Sequence, residues 1–321
     1  MGEDQTDWFV ERSRALTTNV ELAFRGKPGV IRLALVCLFA EGHLLIEDVP
    51  GVGKTSLARA IAASIDGSWN RIQFTPDLLP SDVTGVTIFN QANQSFEFHS
   101  GPVFANLIVA DEINRASPRT QSALLEVMDE RRVTVDGTPH DVPRPFLVMA
   151  TQNPVDMDGT YRLPEAQLDR FLIRTPIGYP SPEAEVEILE TQRAGSVVDT
   201  LTTVLDAREV ATMIEVAASI HVSPAIQRYI VDVIGALRVS ADLRLAASPR
   251  ASLALMRAAR ALAALDGHSY VVPEDIKELA VAVLSHRLML TPEAEMQDQT
   301  TEAVVAAALE SVAVPRSPAE V

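Results

Sequence analysis

The chain has one cysteine, no long apolar run and no leader-like start, and each of these scarcities excludes a class of protein. Cys37 has no partner within the chain, which excludes an internal disulfide framework and a zinc site built on cysteines, and fits a reducing compartment. The apolar stretch 31–40 is interrupted by Arg32 and falls short of the roughly 20 residues of a membrane helix. Residues 1–14 are acidic and polar and lack the apolar core of a signal peptide. We therefore expect a cytoplasmic protein without an integral membrane segment.

Basic residues are also scarce relative to acidic ones. The 321 residues include 27 Lys plus Arg against 43 Asp plus Glu, which gives a formal net charge of -16. A field of that sign repels nucleic acid and anionic membranes unless a local basic patch overcomes it, and the sequence shows no such patch. A hydrophobic share of 47% with 22% charged residues describes a globular chain, and its length is sufficient for two domains.

The most informative stretch runs from His43 to Ser56 and reads HLLIEDVPGVGKTS. The apolar run 44–46 predicts a buried strand, and the residues after Lys54 have the spacing of a helix. A glycine-containing turn between strand and helix brings backbone N–H groups and the positive end of the helix dipole toward an anion. Lys54 would reach the β- and γ-phosphates of ATP, and the Thr55 hydroxyl would ligate Mg²⁺. The predicted phosphate-binding loop consists of Pro50, Gly51, Val52, Gly53, Lys54, Thr55 and Ser56.

Asp48 stands where the first glycine of the G-x-x-x-x-G-K-[ST] pattern belongs. Aspartate tolerates left-handed backbone better than most residues, so the turn can survive, but a carboxylate beside phosphates is unexpected. On these residues alone, an ordinary glycine-rich turn between a strand and a helix stays open as the alternative.

Two carboxylates, Asp111 and Glu112, directly follow the apolar run 107–110. Such a run predicts a central parallel strand that delivers the acid pair at its C-terminal edge, where a P-loop fold holds the nucleotide. Asp111 can then hold Mg²⁺ through water, and Glu112 can polarise the attacking water. The alternative is a pair of solvated carboxylates at a strand end, and it is the phosphate-binding loop that favours the catalytic interpretation.

Two further polar residues stand at the ends of predicted elements. Asn153 follows a predicted strand over 146–151, where its amide can hydrogen-bond the γ-phosphate or the attacking water. An Asx turn before Pro154 is the alternative. Arg170 lies in the short helical stretch LPEAQLDRF, residues 163–171. It is either a surface salt-bridge residue or an arginine presented to the γ-phosphate of a neighbouring subunit.

The order of the predicted elements indicates an α/β fold followed by a helical region. Prolines cluster at positions 176, 180 and 182. We therefore predict an αβα nucleotide-binding domain with a parallel sheet over residues 1–180 and an all-helical lid domain over residues 181–321. Short hairpins are predicted over 86–97 and 130–138 of the first domain. Helical spacing in the second domain falls in residues 183–192, 207–220, 224–238, 250–265, 273–288 and about 301–312.

Together these motifs resemble those of AAA+ ATPases, and their amino-acid sequences resemble those of the MoxR family in particular. The similarity covers nearly the whole chain and is carried by GHLLIEDVPGVGKT, ADEINRASPRTQSALLEVMDE, ATQNP, LPEAQLDRF and ASPRASLALMRAARALAALDG. The family's usual wording also has an aspartate at the position of Asp48. The resemblance implies Mg²⁺-dependent ATP hydrolysis by a hexameric ring. It also implies chaperone-like remodelling of partner proteins, often ones with a von Willebrand factor A domain.

The resemblance also implies roles for individual residues. Asn153 matches the sensor 1 residue, and Arg170 matches the arginine finger, with Asp169 as its acidic neighbour. Arg250 matches the sensor 2 arginine that reaches the phosphates from the lid, so we expect it to face the cleft between the two domains. Other matched segments are Gly26 and Lys27, which pack on adenine in the family, the insert at 89–98 and the pre-sensor hairpin at 131–143.

Three other functions share parts of this pattern. A nucleotide-gated scaffold that binds ATP with little turnover would not need the water-activating Glu112. A replicative helicase subunit should show a basic channel, which the acidic balance argues against. The motor subunit of a metal chelatase has the same layout of inserts and stays open as the alternative.

Overall fold

The fold is built on a parallel sheet. The structure, a computed structural model, describes residues 3–48, 52–153, 160–183, 185–186 and 197–315. Its strands are β1 (Leu44–Glu47), β2 (Ile65–Asp66), β3 (Trp69–Gln73), β4 (Gly85–Asn90), β5 (Ser95–Ser100), β6 (Leu107–Asp111), β7 (Arg132–Val135), β8 (Thr138–Asp141), β9 (Leu147–Gln152), β10 (Ile173–Thr175), β11 (Leu205–Asp206), β12 (Leu243–Leu245) and β13 (Met289–Leu290). Five of them form one parallel sheet in the order β10, β1, β9, β6, β3.

Helices surround this sheet and make up most of the C-terminal part. They are α1 (Glu3–Ala23), α2 (Pro28–Phe39), α3 (Lys54–Ser64), α4 (Pro80–Thr84), α5 (Pro118–Glu130), α6 (Glu165–Leu168), α7 (Ala207–Ser219), α8 (Pro224–Arg238), α9 (Pro249–Leu265), α10 (Pro273–Leu284), α11 (Pro292–Glu295) and α12 (Thr301–Ser311). In the part of the chain that the structure describes, no helix is long and apolar enough to span a bilayer. The predicted α/β class with a following helical region is confirmed.

The sheet is buried on both faces because alternate side chains enter different cores. Leu44 and Ile46 of β1 belong to the cluster that contains Leu57 of α3, whereas Leu45 belongs to the cluster that contains Leu124 of α5. All five residues of β6 are buried. This explains why the central strands read as continuous apolar runs rather than as alternating ones.

The larger core continues from the N-terminal helices into the C-terminal ones. Phe9 of α1 belongs to the same buried cluster as Leu255 of α9 and Leu279 of α10. The parallel sheet ends at Thr175, but helices from both sides of the predicted division at residues 180 and 181 pack against one another. That division therefore stays a prediction. Of the helix predicted over 183–192, residues 184 and 187–192 lie outside the described residues.

The two predicted hairpins are present as β4–β5 and β7–β8. Asp136 and Gly137 both have positive φ, at 50° and 79°, as the tight turn between β7 and β8 requires. Phe98 of the first hairpin stacks on His140 of the second, with ring centroids 4.0 Å apart. The hairpins therefore lie side by side.

The helix predicted over 273–288 ends earlier than expected. It stops at Leu284, and Ser285–Arg287 form a buried 3₁₀ turn whose side chains bind the segment before β10. The turn is stabilised by contacts with residues more than a hundred positions away, which helical periodicity does not register. The C-terminal part also contains the short antiparallel pair β12–β13, which the sequence did not predict.

Gly42→Ala should lower the free energy of unfolding by about 1–3 kcal/mol, because overpacking strains a close-packed contact. A Cβ atom at this position would lie 2.5 Å from Leu172 Cβ and 2.9 Å from Leu172 Cγ. Gly235→Ala is the matched control, because a Cβ atom there meets nothing within 4 Å in α8. It should raise the same free energy by about 1 kcal/mol. Urea denaturation measures both, and equal effects would contradict the close approach of residue 42 to Leu172.

Candidate functional site

The site is built at the C-terminal edge of the parallel sheet. Strands β1, β3, β6 and β9 all end there, and Asp48, Gln73, Asp111 and Gln152 stand at or just after their last residues. Because parallel strands share one direction, polar residues that follow different strands meet at this single edge. The edge therefore collects the residues that the sequence predicted for nucleotide and metal.

The phosphate-binding loop leads into α3 at this edge. Gly53 has φ of 92°, and an added Cβ atom would lie 3.3 Å from the Phe24 ring, so glycine is required there. Lys54, Thr55 and Ser56 form the first turn of α3, and Val52 packs against the larger core. The backbone N–H groups of this first turn have no partner within the helix and are available to an anion. Pro50 and Gly51 lie outside the described residues.

The Lys54 ammonium lies between the ends of β1 and β9. Its Nζ atom donates to the backbone oxygen of Asp48 and, over 3.3 Å, to that of Gln152. Burial lowers the pKa of Lys54, while the nearby carboxylates of Asp48, Asp111 and Glu112 oppose that shift. The side chain is thus held at the sheet edge, where a phosphate group could replace its two carbonyl partners.

The Asp48 carboxylate binds the backbone of the segment that follows β10, the neighbour of β1 in the sheet. Its Oδ2 atom accepts hydrogen bonds from Ile177 N at 2.8 Å and Gly178 N at 2.5 Å. Lys27 reaches the same segment, because its Nζ atom donates to Tyr179 O over 2.7 Å, and Gly26 precedes it with φ of 74°. The aspartate therefore clamps the segment after β10, which accounts for a carboxylate at a glycine position of the loop. The predicted adenine-binding pair, Gly26 and Lys27, lies beside the same segment through the Lys27 hydrogen bond.

The Asp111 carboxylate is buried and surrounded by hydroxyl groups and one cation. Its Oδ2 atom lies 3.2 Å from Thr55 Oγ1, and its Oδ1 atom lies 3.3 Å from Thr151 Oγ1. Arg71 Nε donates to Oδ2 over 2.6 Å. Oxygen ligands of this kind suit Mg²⁺, which is usually bound by one or two protein oxygens with water and phosphate completing the octahedron. Thr55 and Asp111 are thus close enough to hold such an ion, and Arg71 supplies a positive charge at the same oxygen.

Glu112 begins the turn after β6 in a strained conformation. It has φ of 55°, and its N–H group donates to Thr151 Oγ1 over 2.9 Å. Its carboxylate accepts from Arg115 NH1 at 2.9 Å and from Gln73 Nε2 at 3.4 Å. Left-handed backbone at a residue other than glycine costs of order 1–3 kcal/mol and tends to occur at functional sites. Here the left-handed backbone of Glu112 lets two adjacent carboxylates point in different directions. Asp111 faces Thr55, whereas Glu112 faces Gln73.

Gln73 and Arg115 were not predicted from the sequence. A signal for Gln73 existed, because it is the last residue of the strand next to β6 and pairs in register with Asp111. Asn153 follows β9 as predicted, and its backbone oxygen accepts from Asn114 Nδ2 at 3.3 Å. Pro154, with which an Asx turn was the alternative, lies outside the described residues.

Arg170 and Arg250 lie together at the opposite edge of the sheet. Both line a cavity of about 240 Å³ next to residues 41–43, which precede β1. Arg170 Nε forms an ion pair with Asp129 Oδ2 at 3.1 Å. We call this the arginine cavity, because five arginines outnumber three carboxylates in its lining: Arg131, Arg170, Arg250, Arg257 and Arg287 against Glu41, Asp129 and Asp169.

Arg250 was expected to face the cleft between the two predicted domains. The cavity that it shares with Arg170 is lined by residues of the sheet part and of the C-terminal helices. The four residues of β1 separate that cavity from Lys54, which corresponds to about 13 Å of strand. The physical reason is that the C-terminal helices pack beside α1 and α2 and carry the start of α9 to the N-terminal edge of the sheet.

The sequence matches two family models. Residues 43–173 match the ATPase family associated with various cellular activities (AAA), and residues 235–308 match the AAA lid domain. The first range covers the sheet with its phosphate-binding loop. The second covers the helices from the end of α8 through most of α12.

Similar proteins cover nearly the full length of the chain. An uncharacterized Bacillus subtilis protein, YeaC, is 48% identical over 90% of this chain and 91% of its own length. The chaperone MoxR1 of Mycobacterium tuberculosis is 44% identical over 91% of this chain and 79% of its own length. Protein MoxR of Paracoccus denitrificans is 31% identical over 98% of this chain and 99% of its own length. The crystal structure of a candidate ATPase from Cytophaga hutchinsonii superposes with a TM-score of 0.91 at 35% identity, covering 98% of each chain.

Proposed function

Because the chain belongs to the MoxR family of AAA+ ATPases, we propose that it hydrolyses ATP with Mg²⁺ in a ring of identical subunits and uses this cycle to remodel a partner protein. The observation that carries the proposal is the convergence of Lys54, Thr55, Asp111 and Glu112 at one edge of the sheet. Thr55 Oγ1 lies 3.2 Å from Asp111 Oδ2, although 56 residues separate them in the chain.

Each of these residues has one step in the proposed reaction. Lys54 binds the β- and γ-phosphates, and Thr55 and Asp111 hold the metal ion. A bound Mg²⁺ supplies the charge neutralisation that phosphoryl transfer requires. Glu112 orients the attacking water, and Arg115 and Gln73 fix the position of its carboxylate. Asn153 adds a hydrogen bond to the γ-phosphate or to that water.

Glu112 also distinguishes an ATPase from a protein that only binds the nucleotide. A nucleotide-gated scaffold needs Lys54 and Thr55 for affinity but has no use for a carboxylate beside the γ-phosphate. The strained backbone of Glu112, with φ of 55°, supports the catalytic alternative, because strain of this kind is retained where function requires it.

The separation of the two edges supports the proposed ring. Arg170 and Arg250 are on the far side of the sheet from Lys54, so they can reach a γ-phosphate only on another subunit. A head-to-tail ring places the arginine cavity of one subunit against the nucleotide of the next, where its excess of positive charge complements the phosphates. A hexamer is the number of subunits that the family resemblance implies.

The proposed partner is a protein. The relative from Mycobacterium tuberculosis bears the name of a chaperone, which supports a protein as the substrate of remodelling. The family resemblance supports a partner with a von Willebrand factor A domain, and the net charge of -16 supports a protein rather than nucleic acid. The single cysteine, which has no disulfide partner within the chain, supports a cytoplasmic location. A metal-chelatase motor is the alternative, and copurification with Glu112→Gln in ATP would identify the partner.

Lys54→Ala and Glu112→Gln should separate nucleotide binding from chemistry. Lys54→Ala removes the cation that compensates the phosphate charge, so ATP affinity should fall by about tenfold or more. Glu112→Gln keeps the loop intact, so ATP affinity should stay within about twofold while turnover falls by about 100-fold or more. Calorimetry gives the affinities, and a phosphate-release assay gives the turnover. Equal loss of ATP affinity in both variants would contradict these roles.

Subunit mixing should show that Arg170 and Arg250 act on a neighbour. Arg170→Ala and Glu112→Gln homo-oligomers should each be nearly inactive, since loss of an arginine finger alone lowers turnover by about 10³-fold or more. In an equimolar mixture, about a quarter of the interfaces combine an intact Glu112 with an intact Arg170, and turnover should recover toward that fraction. Arg250→Ala in place of Arg170→Ala should behave in the same way.

The contrast between the two arginines decides where Arg250 acts. An Arg250→Ala subunit that Glu112→Gln subunits cannot rescue would mean that Arg250 serves its own nucleotide. Arg228→Ala is a matched control that should leave turnover unchanged, because Arg228 pairs with Asp232 on the surface of α8.

A further inference from the structure

One buried arginine of the C-terminal part binds the segment that carries Arg170. Arg287 is only 7% exposed and lies in the 3₁₀ turn after α10. Its Nε atom donates to Asp169 Oδ1 over 2.7 Å, and its NH2 atom donates to Phe171 O over 2.7 Å and to Asp169 O over 3.3 Å. Its NH1 atom donates to Leu172 O over 3.3 Å and also contacts Val283 O. One guanidinium therefore holds the residues on both sides of Arg170.

The neighbouring histidine adds a second contact to the same segment. His286 Nε2 lies 3.1 Å from Phe171 O, and the ring is buried. The turn Ser285–Arg287 thus contacts residues 169–172 through two adjacent side chains. Because α10 packs against both α9 and β10, these contacts connect the C-terminal helices to the start of β10.

The chemistry of this contact is more specific than packing requires. A buried charge is destabilising unless it is paired and hydrogen-bonded, so a pair of aliphatic side chains would fill the same space at a lower desolvation cost. The guanidinium presents five N–H donors in a rigid plane, which lets a single side chain hold one carboxylate and several carbonyl oxygens at fixed angles. The contact therefore fixes the orientation of the backbone at residues 169–172.

Arg170 lines the arginine cavity between the two residues that Arg287 holds, and its own ion-pair partner lies on a different element. Its guanidinium pairs with Asp129 at the end of α5 and retains 28% of its exposure. Arg250, at the start of α9, lines the same cavity. Both arginines are thus attached to the C-terminal helices, Arg250 directly and Arg170 through Arg287.

We propose that Arg287 is a positioning residue that makes the orientation of Arg170 depend on the C-terminal helices of the same subunit. Arg170 and Arg250 then approach a neighbour's γ-phosphate as one unit, and any movement of these helices changes both contacts together. The inference rests on the proposed role of Arg170 in a neighbouring active site. A bland alternative is that Arg287 only stabilises the fold.

Turnover in two mixtures of subunits distinguishes a positioning role of Arg287 from a purely structural one. Arg287→Lys keeps the charge but loses the planar fork, so Asp169 can stay paired while most of the carbonyl contacts are lost. In the first mixture, Arg287→Lys is combined with Glu112→Gln and mixed with Arg170→Ala, so that the altered subunit supplies Arg170. In the second mixture, Arg287→Lys is combined with Arg170→Ala and mixed with Glu112→Gln, so that the altered subunit supplies the phosphate-binding loop. Both mixtures contain the same share of Arg287→Lys subunits.

We expect turnover about tenfold or more below that of the parent mixture only when the altered subunit supplies Arg170, because small displacements of a positioned group cost rate steeply. When the altered subunit supplies the phosphate-binding loop, turnover should stay within about twofold of the parent. Equal losses in the two mixtures, or no loss in either, would overturn the proposal. Affinity for a fluorescent ATP analogue, measured on each variant alone, should not change.

Two further variants keep the result interpretable. Arg32→Lys is the matched control, because Arg32 of α2 also joins the two parts of the chain, through ion pairs with Asp266 and Glu278, but lies away from residues 169–172. Arg32→Lys should leave turnover unchanged in both mixtures. Asp169→Asn removes the charge that pairs with Arg287 but keeps the shape of the side chain at residue 169. It takes the place of Arg287→Lys in both mixtures if the Arg287→Lys protein does not fold. A parent mixture of Arg170→Ala and Glu112→Gln without turnover would instead refute the proposed function, and this inference with it.

Discussion

The direction of the parallel sheet is the constraint on which the rest of the structure depends. All five strands point the same way, so residues that follow strands and residues that precede them are held at opposite edges. Lys54, Thr55, Asp111 and Glu112 occupy one edge, and Arg170 with Arg250 occupies the other. The length of β1, about 13 Å, separates the two groups. The proposed contact of Arg170 and Arg250 with a γ-phosphate therefore requires a neighbouring subunit.

Charge is distributed in agreement with that arrangement. The chain carries a net charge of -16, yet five arginines gather in one cavity of about 240 Å³. Carboxylates within the cavity, such as Asp129 and Asp169, hold individual guanidinium groups in place but leave an excess of positive charge. At the other edge, Arg71 lies 2.6 Å from Asp111 and balances a buried carboxylate that would otherwise be costly. In the proposed ring, each edge would face one side of a nucleotide with a charge distribution that suits it.

The sequence predicts those features that depend on local order along the chain. The strand, loop and first helical turn of the phosphate-binding site lie within residues 43–56, and the acid pair follows its strand directly. Contacts between distant residues were not predictable in this way. The Asp48 carboxylate binds the N–H group of Gly178, 130 residues later, and Arg287 binds Asp169 across 118 residues. The position of Arg250 likewise depends on how α9 packs beside α1 and α2, which no local pattern encodes.

The dependence of turnover on assembly tests the central claim most directly. Specific ATPase activity should be measured over a wide range of protein concentrations, with light scattering on the same samples to give the oligomeric fraction. If the active site forms only between subunits, activity per chain rises with concentration and follows the oligomeric fraction. A monomer whose activity per chain is high and independent of concentration would contradict the account.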